Sequence, residues 1–133
     1  ITSQVKYAPS GVDETAGILL QNKEDEMASI ILSLHAKQPK RGTISFDKGY
    51  IEIFEYPRGD EAVITYTETG EKEVITAGNT EKALEYEIED MEKAVLENFD
   101  MHLNFTKDVM DIMTFIRNEW GMYYPEEEGC EIL

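Results

Sequence analysis

Few residues of this chain have the type and spacing that chemistry demands. His35 and His102 are the only histidines, and neither has a partner at the i, i+4 spacing of a metal-binding pair. The single cysteine, Cys130, lies among glutamates, whose charge disfavours a reactive thiolate and argues against a nucleophile. It can form no internal disulfide, which fits a reducing compartment. No G-x-G, phosphate-binding loop or CxxC occurs, so no nucleotide fingerprint or thiolate metal site is encoded. With 28 Asp and Glu in 133 residues, chance carboxylate pairs abound and single out no acid–base couple. What remains is a basic, turn-rich stretch at 37–42 following His35. His35, Lys37 and Arg41 are the substrate-side candidates, able to meet an anionic group of a substrate or cofactor. The plainer reading is a polar strand end beside a solvated turn.

These residues follow the most apolar stretch of the chain, 26–36, EMASIILSLHA. Six of the eight residues from Met27 to Leu34 are apolar, and no charge lies between Glu26 and His35. It is too short for a membrane span and lacks helix caps. As a strand it presents Ala28, Ile30, Leu32 and Leu34 on one face and Met27, Ser29, Ile31, Ser33 and His35 on the other. A strand this apolar is expected in the middle of a sheet, covered on both sides. Residues 3–8 and 13–22 precede it, separated by Pro9-Ser10-Gly11 and by Asn22-Lys23-Glu24-Asp25, and predict an antiparallel meander. Further on, 43–46 and 50–56 flank Asp47-Lys48-Gly49. There glycine suits a left-handed last loop residue. A second hairpin, 61–67 with 71–76, turns about Glu68-Thr69-Gly70.

After Gly78 the period changes. Leu84, Ile88, Met91 and Val95 form one stripe of an amphipathic helix that Asn79 or Thr80 can cap. A second helix begins near Thr106, with Asp108 in its first turn. Its stripe is Val109, Ile112, Met113, Ile116 and Trp120, and Gly121 is placed to end it. Strands first and helices last predict an α+β fold. The expectation is one largely antiparallel (mixed) sheet of about six to seven strands, with two C-terminal helices packed on one face and the other face open for oligomerisation. Residues 1–125 read as a single domain and 126–133 as an acidic tail with Glu126, Glu127, Glu128 and Glu131.

The open face is the telling feature. With strands in phase it carries Thr15, Gly17, Leu19, Ser29, Ile31, Ser33, Thr43, Ser45, Phe54, Val63 and Thr65. It is nearly free of charge in a chain that is 30% charged. Small, flat, β-branched side chains suit sheet-on-sheet packing, and a self-complementary face gives a homodimer about a two-fold axis. The dimer-face candidates are Thr15, Leu19, Ser29, Ile31, Ser33, Thr43, Ser45, Phe54, Val63 and Thr65. The net charge of −16 repels phosphate backbones and anionic lipid, so neither nucleic acid nor membrane is an expected partner. Its plainest use is solubility. No signal peptide, transit sequence or membrane-length apolar run is present, and a cytoplasmic protein is expected.

Several stretches taken in order resemble one family. They are Gly11-Val12-Asp13-Glu14 before the second strand, Gly42-Thr43-Ile44-Ser45, Lys48-Gly49-Tyr50-Ile51-Glu52, and Tyr86-Glu87-Ile88-Glu89-Asp90-Met91. Asp108-Val109-Met110-Asp111-Ile112-Met113, Ile116-Arg117, Trp120-Gly121 and Tyr124-Pro125 complete the set. Together they look like the C-terminal domain of the glucose–fructose oxidoreductase, inositol dehydrogenase and rhizopine-catabolism (Gfo/Idh/MocA) oxidoreductases, over nearly the whole chain. The resemblance implies a parent enzyme with an N-terminal Rossmann domain that binds NAD or NADP. It implies that this domain supplies a sheet forming one wall of the substrate cleft, and that its open face mediates oligomerisation. The family's catalytic Glu-Lys-Pro and Asp-x-x-x-His motifs are missing. Glu71-Lys72, Glu81-Lys82 and Glu92-Lys93 are not followed by Pro, and neither histidine has an Asp four residues earlier. The match begins downstream of those motifs. That agrees with a chain opening on Ile1, not Met, and suggests a fragment of a longer protein.

The expected function is therefore the substrate-binding and dimerisation domain of an NAD(P)-dependent dehydrogenase acting on a sugar, polyol or related alcohol. The expected partners are a second copy and the parent's Rossmann domain. This chain alone is expected to hold no catalytic, cofactor-binding or metal residue and to show no activity. The competing readings are a stand-alone interaction module using an open sheet face, and a small cofactor-independent enzyme with His35 as base.

Overall fold

A computed structural model describes residues 1–124. The expected tail at 126–133, with Cys130, lies outside the described residues. The fold is α+β, with seven strands in two antiparallel sheets and two long helices. The chain divides into two compact units. One holds residues 1–37 with the segment from His102 onward, and the other is Gln38–Met101.

In the first unit β1 (Thr2–Tyr7), β2 (Asp13–Gln21) and β3 (Met27–Ser33) form a sheet in that order. The polar turns predicted from Pro9-Ser10-Gly11 and Asn22–Asp25 join them. Around the first, the Gly11 amide donates to the Ala8 carbonyl and the Ala8 amide to the Val12 carbonyl. In the second, the Asn22 side-chain oxygen accepts from the Glu24 and Glu26 amides at 3.0 and 2.9 Å. Such side-chain-to-backbone bonds stand in for the missing ladder at a turn. Val5, Ala16 and Leu32 face each other across the three strands, and the alternation puts Ser3, Ile18 and Ile30 on the same face.

The helix of this unit is α2 (Leu103–Glu119), the second of the described helices in chain order. It starts three residues earlier than the sequence suggests. His102 takes a left-handed conformation at φ 53°, its carbonyl accepts from the Phe105 amide, and the two rings stack with centroids 5.6 Å apart. It ends as predicted at Gly121, φ 65°. The Met122 amide reaches the Arg117 carbonyl and the Gly121 amide that of Asn118, which satisfies the last carbonyls as a Schellman motif does. The helix lies on the Ser3–Ala16–Ile30 face. The Trp120 indole N–H donates to Ser3 Oγ at 2.9 Å, and the Tyr7 hydroxyl donates to the Trp120 carbonyl at 2.6 Å. Ala16 and Ile116 are the buried apolar residues among those described. Burying a side chain such as Ile116 contributes about 1.5–3 kcal/mol.

In the second unit β4 (Arg41–Phe46), β5 (Gly49–Phe54), β6 (Glu61–Tyr66) and β7 (Lys72–Thr76) form a four-stranded meander. A short 3-10 turn, Thr80–Lys82, then leads into α1 (Ala83–Glu97). Asn79 caps the turn, its side-chain oxygen accepting from the Glu81 amide at 2.9 Å. Left-handed Asn98, φ 56°, ends α1. The predicted stripe of α1 is real in spacing but exposed throughout: Leu84, Ile88, Met91 and Val95 all lie open.

Three expectations are corrected. The strands form sheets of three and four, not one sheet of six to seven, because β3 pairs only with β2 and β4 only with β5. The most apolar strand, β3, therefore stands at a sheet edge and not in the middle. The two helices are divided between the two units, one in each. A smaller correction concerns Gly49. It pairs with Phe46 across a two-residue turn and is not left-handed. Glycine is required there because a Cβ would stand 2.3 Å from the Thr65 carbonyl oxygen.

Candidate functional site

The residue pattern on the first sheet builds a broad face opposite α2. Cross-strand pairing sets Lys6, Thr15 and Ser33 in one row, Gln4, Gly17 and Ile31 in the next, and Thr2, Leu19 and Ser29 in a third. Thr15 and Ser33 bridge their hydroxyls at 3.3 Å. Ile31 lies over Gly17, whose missing side chain leaves room for it at 3.5 Å. Leu19 and Ile31 are 41% and 60% exposed, so the apolar side chains of this face stand uncovered by the described residues. The one charge on it, Lys6, is paired with Glu14. Thr15, Leu19, Ser29, Ile31 and Ser33 are thus brought together as the alternation predicts.

The other five dimer-face candidates share one face of the second sheet. Thr43 pairs with Glu52, Glu52 with Val63, Ser45 with Tyr50, and Tyr50 with Thr65. Phe54 pairs with Arg41 on that same face. Here the face is not charge-free, because Arg41, Glu52 and Lys72 lie among them and Arg41 pairs with Glu52 at 3.6 Å. Thr65 is nearly buried and its hydroxyl has no partner. The reverse of this sheet, with Ile44, Phe46, Ile51, Ile53, Ile64 and Ile75, is the more apolar side.

The basic candidates are divided. His35 and Lys37 belong to the first unit and Arg41 to the second. His35 Nε2 stands 3.9 Å from a Glu14 carboxylate oxygen, and Lys6 holds the other oxygen. The Lys6 ammonium, first by its hydrogen bond, draws the Glu14 carboxyl below its ordinary range, against the opposing pull of partial burial; the charge of His35 adds a smaller push the same way. Glu14 is therefore a hub whose two carboxylate oxygens face Lys6 and His35. Sequence reasoning did not single it out, since one Glu among 28 acidic residues carries no signal until the strands are paired. Elsewhere Tyr66 donates to Glu73 at 3.1 Å and that carboxylate pushes the phenol upward. Asp111 likewise raises the Lys107 ammonium one helical turn away.

Among the described residues no group of three or more His, Cys, Asp or Glu could hold a metal ion. No described helix is long and apolar enough to cross a membrane. An open apolar groove runs along α1 past Ile88, Met91, Val95 and Met101, and a small cleft lies between residues 57–60 and 77–80 beside Tyr86. In the cleft the Thr80 hydroxyl donates to the Arg58 carbonyl at 2.6 Å and the Thr80 amide to the Asp60 carboxylate at 3.4 Å. No family model matches the chain, and no curated protein matches it.

Proposed function

We propose that this chain is the C-terminal substrate-binding and dimerisation domain of a cytoplasmic, NAD(P)-dependent oxidoreductase of the Gfo/Idh/MocA kind, acting on a sugar, polyol or related alcohol. The observation that supports it is the first sheet: α2 bonds through Trp120 to Ser3 on one face, and the opposite face presents Thr15, Leu19, Ser29, Ile31 and Ser33 without an unpaired charge. Such a face fits a second copy about a two-fold axis. The ordered motifs from Gly11-Val12-Asp13-Glu14 to Trp120-Gly121 supply the family. In this reading the nicotinamide, held by the parent's Rossmann domain, does the hydride chemistry, and this domain walls the substrate cleft. His35 and Lys37 are then substrate-side contacts of one unit and Arg41 of the other.

The test uses the protein encoded by the continuous reading frame that contains this chain. It is assayed with sugars and polyols plus NAD or NADP, following the reduced nicotinamide. Turnover is expected from that protein, and neither turnover nor micromolar NAD binding from the 133-residue chain alone. Tight NAD binding by the chain alone, or no nicotinamide-dependent turnover by the longer protein, overturns the reading. A stand-alone interaction module using the same face is the second reading. It is favoured by the same uncovered face and wins if the reading frame holds no nucleotide-binding segment.

A further inference from the structure

β3 occupies an edge that lacks the usual safeguards. Sheet edges are normally blunted by charge, proline, a bulge or a cover, because their free N–H and C=O groups recruit other strands. The other three edges follow this rule. β1 carries Lys6 and a bulge at Lys6–Tyr7, β4 opens with Arg41, and β7 carries Lys72 and Glu73. β3 has seven residues with no charge, no proline and no register shift, and all but Ser33 are exposed. The direction of its peptide groups follows from its two ends. The Asn22 amide donates to the Glu26 carbonyl at 3.1 Å and the Leu34 amide to the Glu14 carbonyl at 2.9 Å. In an antiparallel ladder this turns the even-numbered peptides toward β2 and the odd-numbered ones outward. Met27, Ser29, Ile31 and Ser33 therefore line the edge, their outward donors and acceptors unpaired among the described strands.

We infer that this edge pairs with β3 of a second copy, antiparallel, to give a continuous six-stranded sheet. Charge selects the occupant and the direction. Glu24, Asp25 and Glu26 precede the strand, offset only by Lys23, while His35 and Lys37 follow it. Antiparallel pairing sets the acidic end of each strand beside the basic end of its partner. Parallel pairing sets like beside like. Between them lies a seven-residue strand free of charge in a chain whose net charge is −16. The mode is strand addition, with main-chain bonds giving affinity and the apolar side chains extending both sheet faces. It does not depend on the dehydrogenase reading.

Residue-resolved hydrogen exchange on the whole chain tests it, from micromolar to near-millimolar concentration. The Met27, Ser29, Ile31 and Ser33 amides are expected to slow at least about tenfold as concentration rises. Ser29→Pro removes one outward N–H at a place where an edge strand tolerates proline, and is expected to abolish that slowing. Ser29→Ala keeps the N–H and is expected to retain it. Outward amides that exchange freely at every concentration overturn the inference. So does protection that is independent of concentration, which would mean that the chain's own segments cover the edge, and so does a Ser29→Pro protein that still associates through β3. A failed nicotinamide assay leaves these readouts untouched.

Discussion

The Trp120 indole nitrogen donates to the Ser3 hydroxyl at 2.9 Å, joining the end of the last helix to the first strand. The bond closes the first unit across 117 positions of sequence, and the Tyr7 hydroxyl braces it through the Trp120 carbonyl. A part-buried hydrogen bond contributes about 0.5–1.5 kcal/mol, and an orphaned partner costs more. Trp120→Phe is expected to lower unfolding stability by about 1 kcal/mol and Ser3→Ala by a similar amount. In urea titrations the double variant should lose less than the sum, because both remove the same bond. Strict additivity would show that the pair does not interact.

The close approach of β5 to β6 gives a contrast between two glycines. Gly49→Ala places a methyl against the Thr65 carbonyl, where backbone must shift. A loss of about 2 kcal/mol is expected, within the usual range for overpacking. Gly42→Ala meets open space. It should be neutral, or stabilising by about 0.5 kcal/mol through a less flexible unfolded chain. Thermal or denaturant midpoints separate the two.

The Glu14 hub makes a pH prediction. Its folded carboxyl titrates below the ordinary 4.5 chiefly because Lys6 hydrogen-bonds to it. Its contribution to stability is present above the ordinary carboxylate value and is lost as pH falls through the lowered folded value. Lys6→Met should return the Glu14 midpoint, read from the side-chain carboxyl carbon by NMR, most of the way to the ordinary value. A midpoint that stays low after Lys6 is removed would contradict the assignment to Lys6.

Local elements were legible in the residues, and their partners were not. Each strand and hairpin announced itself by alternation and turn residues, and Gly121 by its place after the Trp120 stripe. Of the two candidate caps, Asn79 and Thr80, Asn79 caps the short turn that leads into α1, and α1 itself starts after Lys82 without a side-chain cap. β3 misled because a strand apolar on both faces reads as a central one; nothing within 26–36 says that its outer edge goes unpaired. The stripe of α1 fixed its period and not what it packs against. Gly49 looked like a turn glycine, whereas its reason lies on β6, which only the pairing register reveals. For the site, alternation correctly grouped Thr15, Leu19, Ser29, Ile31 and Ser33. It also sets Glu52 beside Phe54, a charge that the expectation of a nearly charge-free face left out, whereas Arg41 and Lys72 join that face, and Glu14 meets Lys6 and His35, only through the pairing of the strands.

The central claim is that the uncovered face of the first sheet meets a second copy. Leu19 lies on β2, the middle strand, away from the β3 edge, so Leu19→Lys charges that face and leaves the edge intact. Light scattering across concentration, with far-UV circular dichroism to verify folding, is the direct measurement. The account predicts that the wild-type chain reaches an even multiple of 15.2 kDa and that folded Leu19→Lys shows half that mass. A wild-type chain that stays at 15.2 kDa throughout, or a folded Leu19→Lys protein of unchanged mass, would contradict it.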